Sequence, residues 1–247
     1  MKIFFSWILN LGPQERKIDD NVEKFLASMR ITAKCRYNAS VRLFRQSRFS
    51  FFTTTLLSLG LIFIPLMQNA NVPLAFKASV LNMVQIFLAV SILVYSVIIS
   101  TARYDLRAEK LNECGDKLKD LIRSMKKDIH LKKTLSDEEL SQYQQRYQDV
   151  TTDTENHERS DFNLATLEMK SDYFITGIPR TWLFISSHIQ RLSAFIVPTL
   201  MISFEIIFIL DMLGVTCVFV EYFNASPDVP SGQGNIVDSK TTVGTSG

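Results

Sequence analysis

The sequence predicts an all-α integral membrane protein with a two-helix transmembrane hairpin, a third transmembrane helix and a cytoplasmic helical bundle. Three observations support this fold class. The 247-residue chain is 47% hydrophobic, and this content is concentrated in a few long blocks. Lysine and arginine cluster beside those blocks, and strand patterns are nearly absent. The resulting divisions are 1–48, a basic N-terminal region; 49–102, the hairpin; 103–180, cytoplasmic helices; 181–223, a third hydrophobic segment; and 224–247, a disordered tail.

The N-terminal region is expected to hold a short lead followed by a long basic helix. Residues 1–11 contain an apolar run with no small-residue cleavage site after it, so we interpret them as an uncleaved segment on the inner membrane surface. Asp19 or Asp20 can cap a helix that starts near Asn21. Apolar residues then recur at helical spacing between arginines, and this helix is predicted to continue into the first span.

The hairpin is predicted from two long uncharged runs. No charged residue occurs in 49–76 or in 78–102. A hydrocarbon core about 30 Å thick needs about 20 helical residues, so each run can cross it. The predicted spans are 49–67 and 80–101, with an asparagine-rich turn before Pro73. A soluble hairpin is the alternative, but its helices would show a polar face that these runs lack.

The distribution of positive charge predicts the orientation. The flanks 1–48 and 103–133 each carry ten lysines and arginines, whereas the loop between the spans carries only Lys77. Positive flanks stay in the cytoplasm, so the N-terminus and the bundle should be cytoplasmic and the turn outside. The basic membrane flank consists of Arg42, Arg45, Arg48 and Arg103, which can meet anionic headgroups. Arginines interleaved with aromatic residues could also bind RNA, but a positive flank is the simpler interpretation.

A stripe of polar and small residues follows one face of the second predicted span. Its members lie 3, 4, 7, 4 and 3 residues apart, which keeps them on one helical face. Such a stripe either packs against another helix, which is the commoner use, or lines water. The residues are Asn82, Gln85, Ala89, Ser96, Ser100 and Arg103.

Two cytoplasmic helices are predicted after the hairpin. The first should continue directly from Ala102, with apolar residues 3 and 4 apart that can pack against the basic N-terminal helix. The second should begin after a capping box at Ser136 and end near Asp149. Gly115 lies inside the apolar pattern and weakens it. That pattern consists of Leu111, Cys114, Leu118, Leu121 and Met125.

A dense polar stretch, 154–163, contains the cytoplasmic motif Asn156, His157, Ser160 and Asp161. A histidine among carboxylates could indicate a metal or acid–base site. However, a single histidine without a second ligand at metal spacing is weak evidence. We therefore interpret the stretch as a capped turn in which Ser160 or Asp161 caps the next helix.

The third hydrophobic segment contains an acidic residue within its apolar run. If this span begins at Leu192, Glu205 lies about 20 Å into the membrane and Asp211 about 28 Å in, near the far headgroups. A carboxylate in hydrocarbon costs several kcal/mol unless it is paired, protonated or hydrated, so Glu205 is expected to line a pore or drive oligomer contacts. Pro198 should kink this helix, and the C-terminus should be outside. The alternatives are an amphipathic helix that faces the cytoplasm and a span in another register.

The chain shows no motif for catalysis. It has no P-loop, dinucleotide-binding, nucleophile-elbow or paired zinc motif, so we predict no catalytic residue, cofactor or metal. Three cysteines, Cys35, Cys114 and Cys217, are widely separated and odd in number. They form no disulfide framework, and free thiols are expected for the cytoplasmic pair.

This outline resembles the SLATT family of bacterial two-transmembrane effectors, which are found beside nucleotide-signalling and reverse-transcriptase genes. The matching features are the basic helix feeding the first span, the tight hairpin and the charged helix after the second span. The residues Asn156, His157, Ser160 and Asp161 are similar to an Asn-His…Ser-Asp stretch of one subgroup, here with Glu158 and Arg159 between the halves. The resemblance covers about residues 20–180.

The resemblance implies an antiviral effector in the bacterial inner membrane that oligomerises and permeabilises the bilayer, causing abortive infection. It also implies an operon partner, either a reverse transcriptase with its RNA or a synthase of nucleotide second messengers. Three alternatives stay open: a membrane anchor that recruits a cytoplasmic enzyme, an ion channel or transporter subunit, and direct nucleic-acid binding through the arginines of 30–48.

Overall fold

The computed structural model describes residue 10 and the ranges 13–70 and 72–224 of the chain. The expectations for most of the N-terminal lead and for the tail after 224 lie outside these residues. Within the described ranges the chain forms eight α-helices and no β-sheet, which confirms the all-α fold class. The helices are α1 Asn21–Asn69, α2 Ala78–Ala102, α3 Tyr104–Lys132, α4 Asp137–Thr152, α5 Arg159–Glu168, α6 Gly177–Ser193, α7 Ile196–Met212 and α8 Val220–Asn224.

Helix α1 is the longest of the described helices. Asp20 caps it, because its carboxylate oxygens accept from the backbone N–H groups of Val22 and Glu23 at 3.3 Å. The helix then runs for 49 residues without interruption, about 74 Å. The prediction of one helix that joins the basic region to the first span is therefore confirmed.

Helices α1 and α2 form the predicted hairpin. Their contact is apolar, with Leu57 and Ile64 of α1 and Leu81, Val84 and Leu88 of α2 all buried. The opposite side of α2 is a continuous apolar surface on which residues such as Ile86 are two-thirds exposed (67%). An uncovered apolar surface of this extent is suited to lipid rather than water.

The predicted cytoplasmic bundle forms where α3 packs along the first half of α1. All five residues of the predicted apolar pattern on α3 are buried in this seam, which confirms the predicted packing. Gly115 lies against the ring of Tyr37, and a Cβ there would be 3.0 Å from two ring atoms. Gly115, which interrupts the apolar pattern in the sequence, thus allows α3 and α1 to approach closely.

The helix predicted to continue from Ala102 is interrupted once. Arg103 adopts the left-handed conformation (φ 48°), so α2 ends there and α3 begins at the next residue. Helix α4 starts as predicted: Ser136 accepts from the Glu139 backbone at 3.2 Å, and Glu139 accepts from the Ser136 backbone at 3.0 Å. It ends at Thr152, three residues beyond the predicted end.

The third hydrophobic segment is not one helix: it is divided into α6 and α7, which the short α8 follows. Helices α6 and α7 meet at a bend of 57° around Ala194 and Phe195. Pro198 explains the break, since it has no N–H to donate to the Ala194 carbonyl and its ring crowds that carbonyl. The predicted kink is confirmed. Among the described helices, two are long and apolar enough to cross a membrane, and the bent pair would be a third span.

Helix α7 lies level with the first predicted span. At its N-terminal end the ring of Phe195 contacts that of Phe49, with centroids 5.1 Å apart. At its C-terminal end the Met212 carbonyl accepts from the Ala75 backbone N–H at 3.0 Å. The two ends of α7 therefore match the two ends of the uncharged run of α1. The 181–223 segment divides accordingly: α7 lies alongside the hairpin, and α8 packs on the same apolar cluster through Val220 and Phe223, whereas α6 does not.

Candidate functional site

Asp161 is the centre of a buried ion-pair cluster in the helical bundle. Its side chain is 0% exposed. Arg42 of α1 donates to both carboxylate oxygens, with Nη2 3.1 Å from Oδ2, and Arg191 of α6 donates to Oδ1 at 2.9 Å. Asp161 therefore ties the basic helix to the helix that leads into the third hydrophobic segment. We call Arg42, Asp161 and Arg191 the Asp161 cluster.

The start of α5 positions this carboxylate. Glu158, and not Ser160 or Asp161 as predicted, is the N-cap residue. Asp161 lies three residues later, where its Oδ2 accepts from the Glu158 backbone N–H at 3.1 Å. The sequence prediction placed the N-cap two or three residues too late. Asp161 still contributes to the helix start, because its carboxylate accepts from the backbone N–H of the N-cap residue. Glu158 also pairs with Arg42 at 2.8 Å.

The rest of the cytoplasmic motif surrounds the Asp161 cluster unequally. Ser160 is buried, and Asn156 is exposed. His157 is half-buried against Phe162, and its Nδ1 makes no hydrogen bond to any described residue. Burial lowers the pKa of His157, and the nearby Arg36 lowers it further. Within the described residues no group of three or more His, Cys, Asp or Glu side chains could hold a metal ion.

Further arginines bind the segment before α5. Arg36 donates to the Glu155 carbonyl, and Arg107 of α3 pairs with the Glu155 carboxylate at 2.9 Å. Four arginines that bind this stretch, Arg36, Arg42, Arg107 and Arg191, were not expected from the sequence to be its partners. The available signal was charge complementarity, because four acidic residues in 153–161 face a helix studded with arginine.

The four residues of the predicted basic flank have two different roles. Arg42 is largely buried in the Asp161 cluster (11% exposed side chain). Arg45, Arg48 and Arg103 are exposed, and none of them forms an ion pair with a described residue. These three remain suited to lipid headgroups, as predicted.

Glu205 is buried between membrane helices. Its residue exposure is 1%, and its Oε1 has no hydrogen-bond partner among the described residues. It packs on Gly60 of α1, where an added methyl group would overlap the carboxylate. Glycine at this position therefore makes room for an acidic side chain in an apolar contact.

The polar stripe of α2 lies beside the buried face of the hairpin, not on it. Asn82 and Ser100 are exposed, and Gln85 and Ser96 are partly covered. Asn82 accepts a long hydrogen bond of 3.4 Å from Gln68 of α1. Ser96 and Ser100 line an open groove of about 620 Å³ with hydroxyl residues of α1, namely Ser47, Thr54, Thr55 and Ser58. In one chain, the structure does not bring this stripe together with Glu205.

Asp211, the second acidic residue of the third segment, accepts several hydrogen bonds. Asp211 accepts from the backbone N–H of Val218 at 3.1 Å, from that of Phe219, and from the Thr216 hydroxyl. It thereby closes the turn that follows α7. Glu205, which has no such partners, is the more distinctive of the two carboxylates.

Comparison with known proteins identifies the domain. The family model described as SMODS and SLOG-associating 2TM effector domain family 5 matches residues 18–210. This range includes both helices of the hairpin, the helical bundle, the Asp161 cluster and Glu205. Comparisons with curated proteins and with solved structures gave no match. Since the matched range is most of the chain, this membrane protein belongs to SMODS and SLOG-associating 2TM effector domain family 5.

Proposed function

We propose that this protein is an effector of bacterial antiviral defence that oligomerises and permeabilises the inner membrane when a partner or a nucleotide signal triggers it. The observation that carries the proposal is the burial of Glu205 without a hydrogen-bond partner for Oε1. A carboxylate in that position is unfavourable, so a rearrangement that hydrates it would gain free energy. The packing described above is accordingly the resting arrangement.

The proposed active arrangement contains several copies of the chain, because three membrane segments cannot enclose a water-filled path alone. In it, Glu205 leaves its contact with Gly60 and faces water. The stripe of Asn82, Gln85, Ser96 and Ser100 supplies polar contacts between copies or to the pore. Its partial exposure in the single chain leaves it available for both.

The Asp161 cluster provides a route from the cytoplasm to the membrane. Asp161 holds Arg42 of α1 and Arg191 of α6, and α6 continues into the helix that carries Glu205. A partner that moves α5 would therefore displace α1 and the third segment together, because Asp161 of α5 is paired with an arginine on each. The proposed partner is an operon product, a reverse transcriptase with its RNA or a nucleotide-second-messenger synthase. We propose no catalytic activity for the chain itself.

The proposal is tested by substitutions that remove the polar groups. Glu205→Gln and Asn82→Leu should each reduce toxicity and membrane depolarisation when the chain is expressed with its operon partners and triggered. Membrane potential, growth and the amount of protein in the membrane fraction are measured together.

Matched controls make the same chemical changes elsewhere. Glu221→Gln changes a residue beyond the outer end of α7, and Asn112→Leu changes a residue on the exposed side of α3. Both should behave like the wild type. If Glu205→Gln and Asn82→Leu depolarise the membrane as fully as the wild type, these residues have no part in permeabilisation. If the triggered wild type never depolarises the membrane, the protein acts as an anchor for a soluble partner.

A further inference from the structure

Helix α6 carries an apolar stripe that no described residue covers. Five side chains recur 4, 3, 4 and 3 residues apart, which aligns them along one face. Their exposure ranges from 46% to 69%, high for residues of this kind outside a membrane span. The stripe consists of Ile178, Trp182, Ile185, Ile189 and Leu192.

The opposite face of α6 is already occupied by the protein. Ser187, half a turn away from the stripe, is fully buried. Arg191 reaches Asp161 at 2.9 Å, and Arg180 donates to the Leu167 carbonyl of α5 at 3.2 Å. The stripe therefore points away from the bundle, and the contacts of the polar face hold it in that direction.

The stripe continues into the lipid-facing side of α7. Ile196 and Leu200 extend the same spacing past the bend, and they are 55% and 64% exposed. Helix α7 lies level with the first span, so its exposed apolar side faces hydrocarbon. Because the stripe of α6 is continuous with this side of α7, the simplest interpretation is that the stripe also contacts lipid. Charge is compatible with this contact, because α6 contains no acidic residue that an anionic leaflet would repel.

We propose that α6 lies on the cytoplasmic surface of the membrane, with its stripe inserted among the lipids and its polar face on α5. The 57° bend fits this placement. A tilt of α7 by about 33° from the bilayer normal sets α6 parallel to the surface, within the 0–40° range of membrane helices. Trp182 then sits at the headgroup level, where its amphipathic ring is favoured. This placement does not depend on the proposed permeabilisation.

The placement is tested by the depth of Trp182 in the full-length protein. The chain has two tryptophans, so Trp7→Phe leaves Trp182 as the only one. This variant is reconstituted into vesicles of phosphatidylethanolamine and phosphatidylglycerol, with lipids brominated either near the headgroup or near the bilayer centre. We expect strong loss of Trp182 fluorescence with bromine near the headgroup and weaker loss with bromine at the centre.

Two reference variants, both lacking Trp7 and Trp182, calibrate the result. Phe87→Trp on the exposed side of α2 should be quenched most by central bromine, and Leu131→Trp at the far end of α3 should not be quenched. Trp182 emission that is unquenched and red-shifted would place the stripe in water. Emission that is unquenched and blue-shifted would place it under protein, such as residues 1–9 or a second copy. Either result would overturn the proposal.

Discussion

Asp161 illustrates how one buried charge can organise several elements. A carboxylate removed from water is unfavourable unless its oxygens are fully paired. Here two arginines and a backbone N–H supply the partners, and each comes from a different part of the chain. The contact is specific because a shorter or neutral side chain could not hold both guanidinium groups.

Replacing this carboxylate should destabilise the bundle. Asp161→Asn leaves Arg42 and Arg191 without their shared charge, and loss of one partner from a buried pair costs about 3–5 kcal/mol. We expect the low end of that range, since Glu158 still pairs with Arg42. Thermal unfolding of the purified protein in detergent measures the effect as a lower Tm.

The control for this substitution is Asp120→Asn. Asp120 pairs with Arg123 on the surface, where both side chains are mostly exposed, so its loss should leave the Tm nearly unchanged. Equal Tm values for the two variants would show that the Asp161 cluster does not stabilise the fold.

Among the elements, the seam between α1 and α3 holds the helical bundle together. The apolar pattern on α3 predicted this contact, because residues 3 and 4 apart align on one helix face whatever the partner. The break at Arg103 could not be predicted, since nothing in its neighbours requires a left-handed residue. Gly115 was also ambiguous until Tyr37 was seen against it.

Shortening a seam residue should weaken this contact. Leu118 is fully buried, so Leu118→Ala removes apolar contacts and leaves a cavity, at a cost of about 2–5 kcal/mol. Leu131→Ala on the same helix is the matched control, because that side chain is 70% exposed and should change stability by less than about 0.5 kcal/mol. Denaturant unfolding followed by circular dichroism compares the two. A Leu118→Ala variant as stable as Leu131→Ala would contradict the assigned packing.

At the scale of the whole molecule, the cysteines can test the predicted orientation. Cys35 and Cys114 are buried free thiols, and burial raises the pKa of Cys35 to about 12, so it stays protonated and unreactive. Cys217 is exposed in the turn after α7. If the bundle is cytoplasmic, a membrane-impermeant maleimide added to bacteria with a permeabilised outer membrane should label Cys217 alone.

Two variants complete this labelling experiment. Cys217→Ser should abolish the label, because the remaining thiols are buried. Adding Leu131→Cys to that variant places a thiol at the exposed end of α3, which should react only after the inner membrane is opened. Labelling of position 131 in intact cells, with none at Cys217, would show that the orientation is the reverse of the predicted one.

Local sequence patterns predicted the helical class, the two membrane spans, a cap at Asp19 or Asp20, the cap at Ser136 and the kink near Pro198; the structure shows that Asp20 is the first cap. Each of these follows from local chemistry: long uncharged runs, a side chain that can accept from the next turn, or a missing N–H. The Asn-His…Ser-Asp stretch was also visible, but only as a motif without a role.

Which charges pair depends on the tertiary structure. Asp161 lies 119 residues from Arg42 and 30 from Arg191 along the chain, and spacing cannot predict pairing over such distances. The same limit applies to Glu205 on Gly60 and to the direction of the α6 stripe. These contacts depend on how whole helices pack, which is set by the summed fit of many side chains and not by any local pattern.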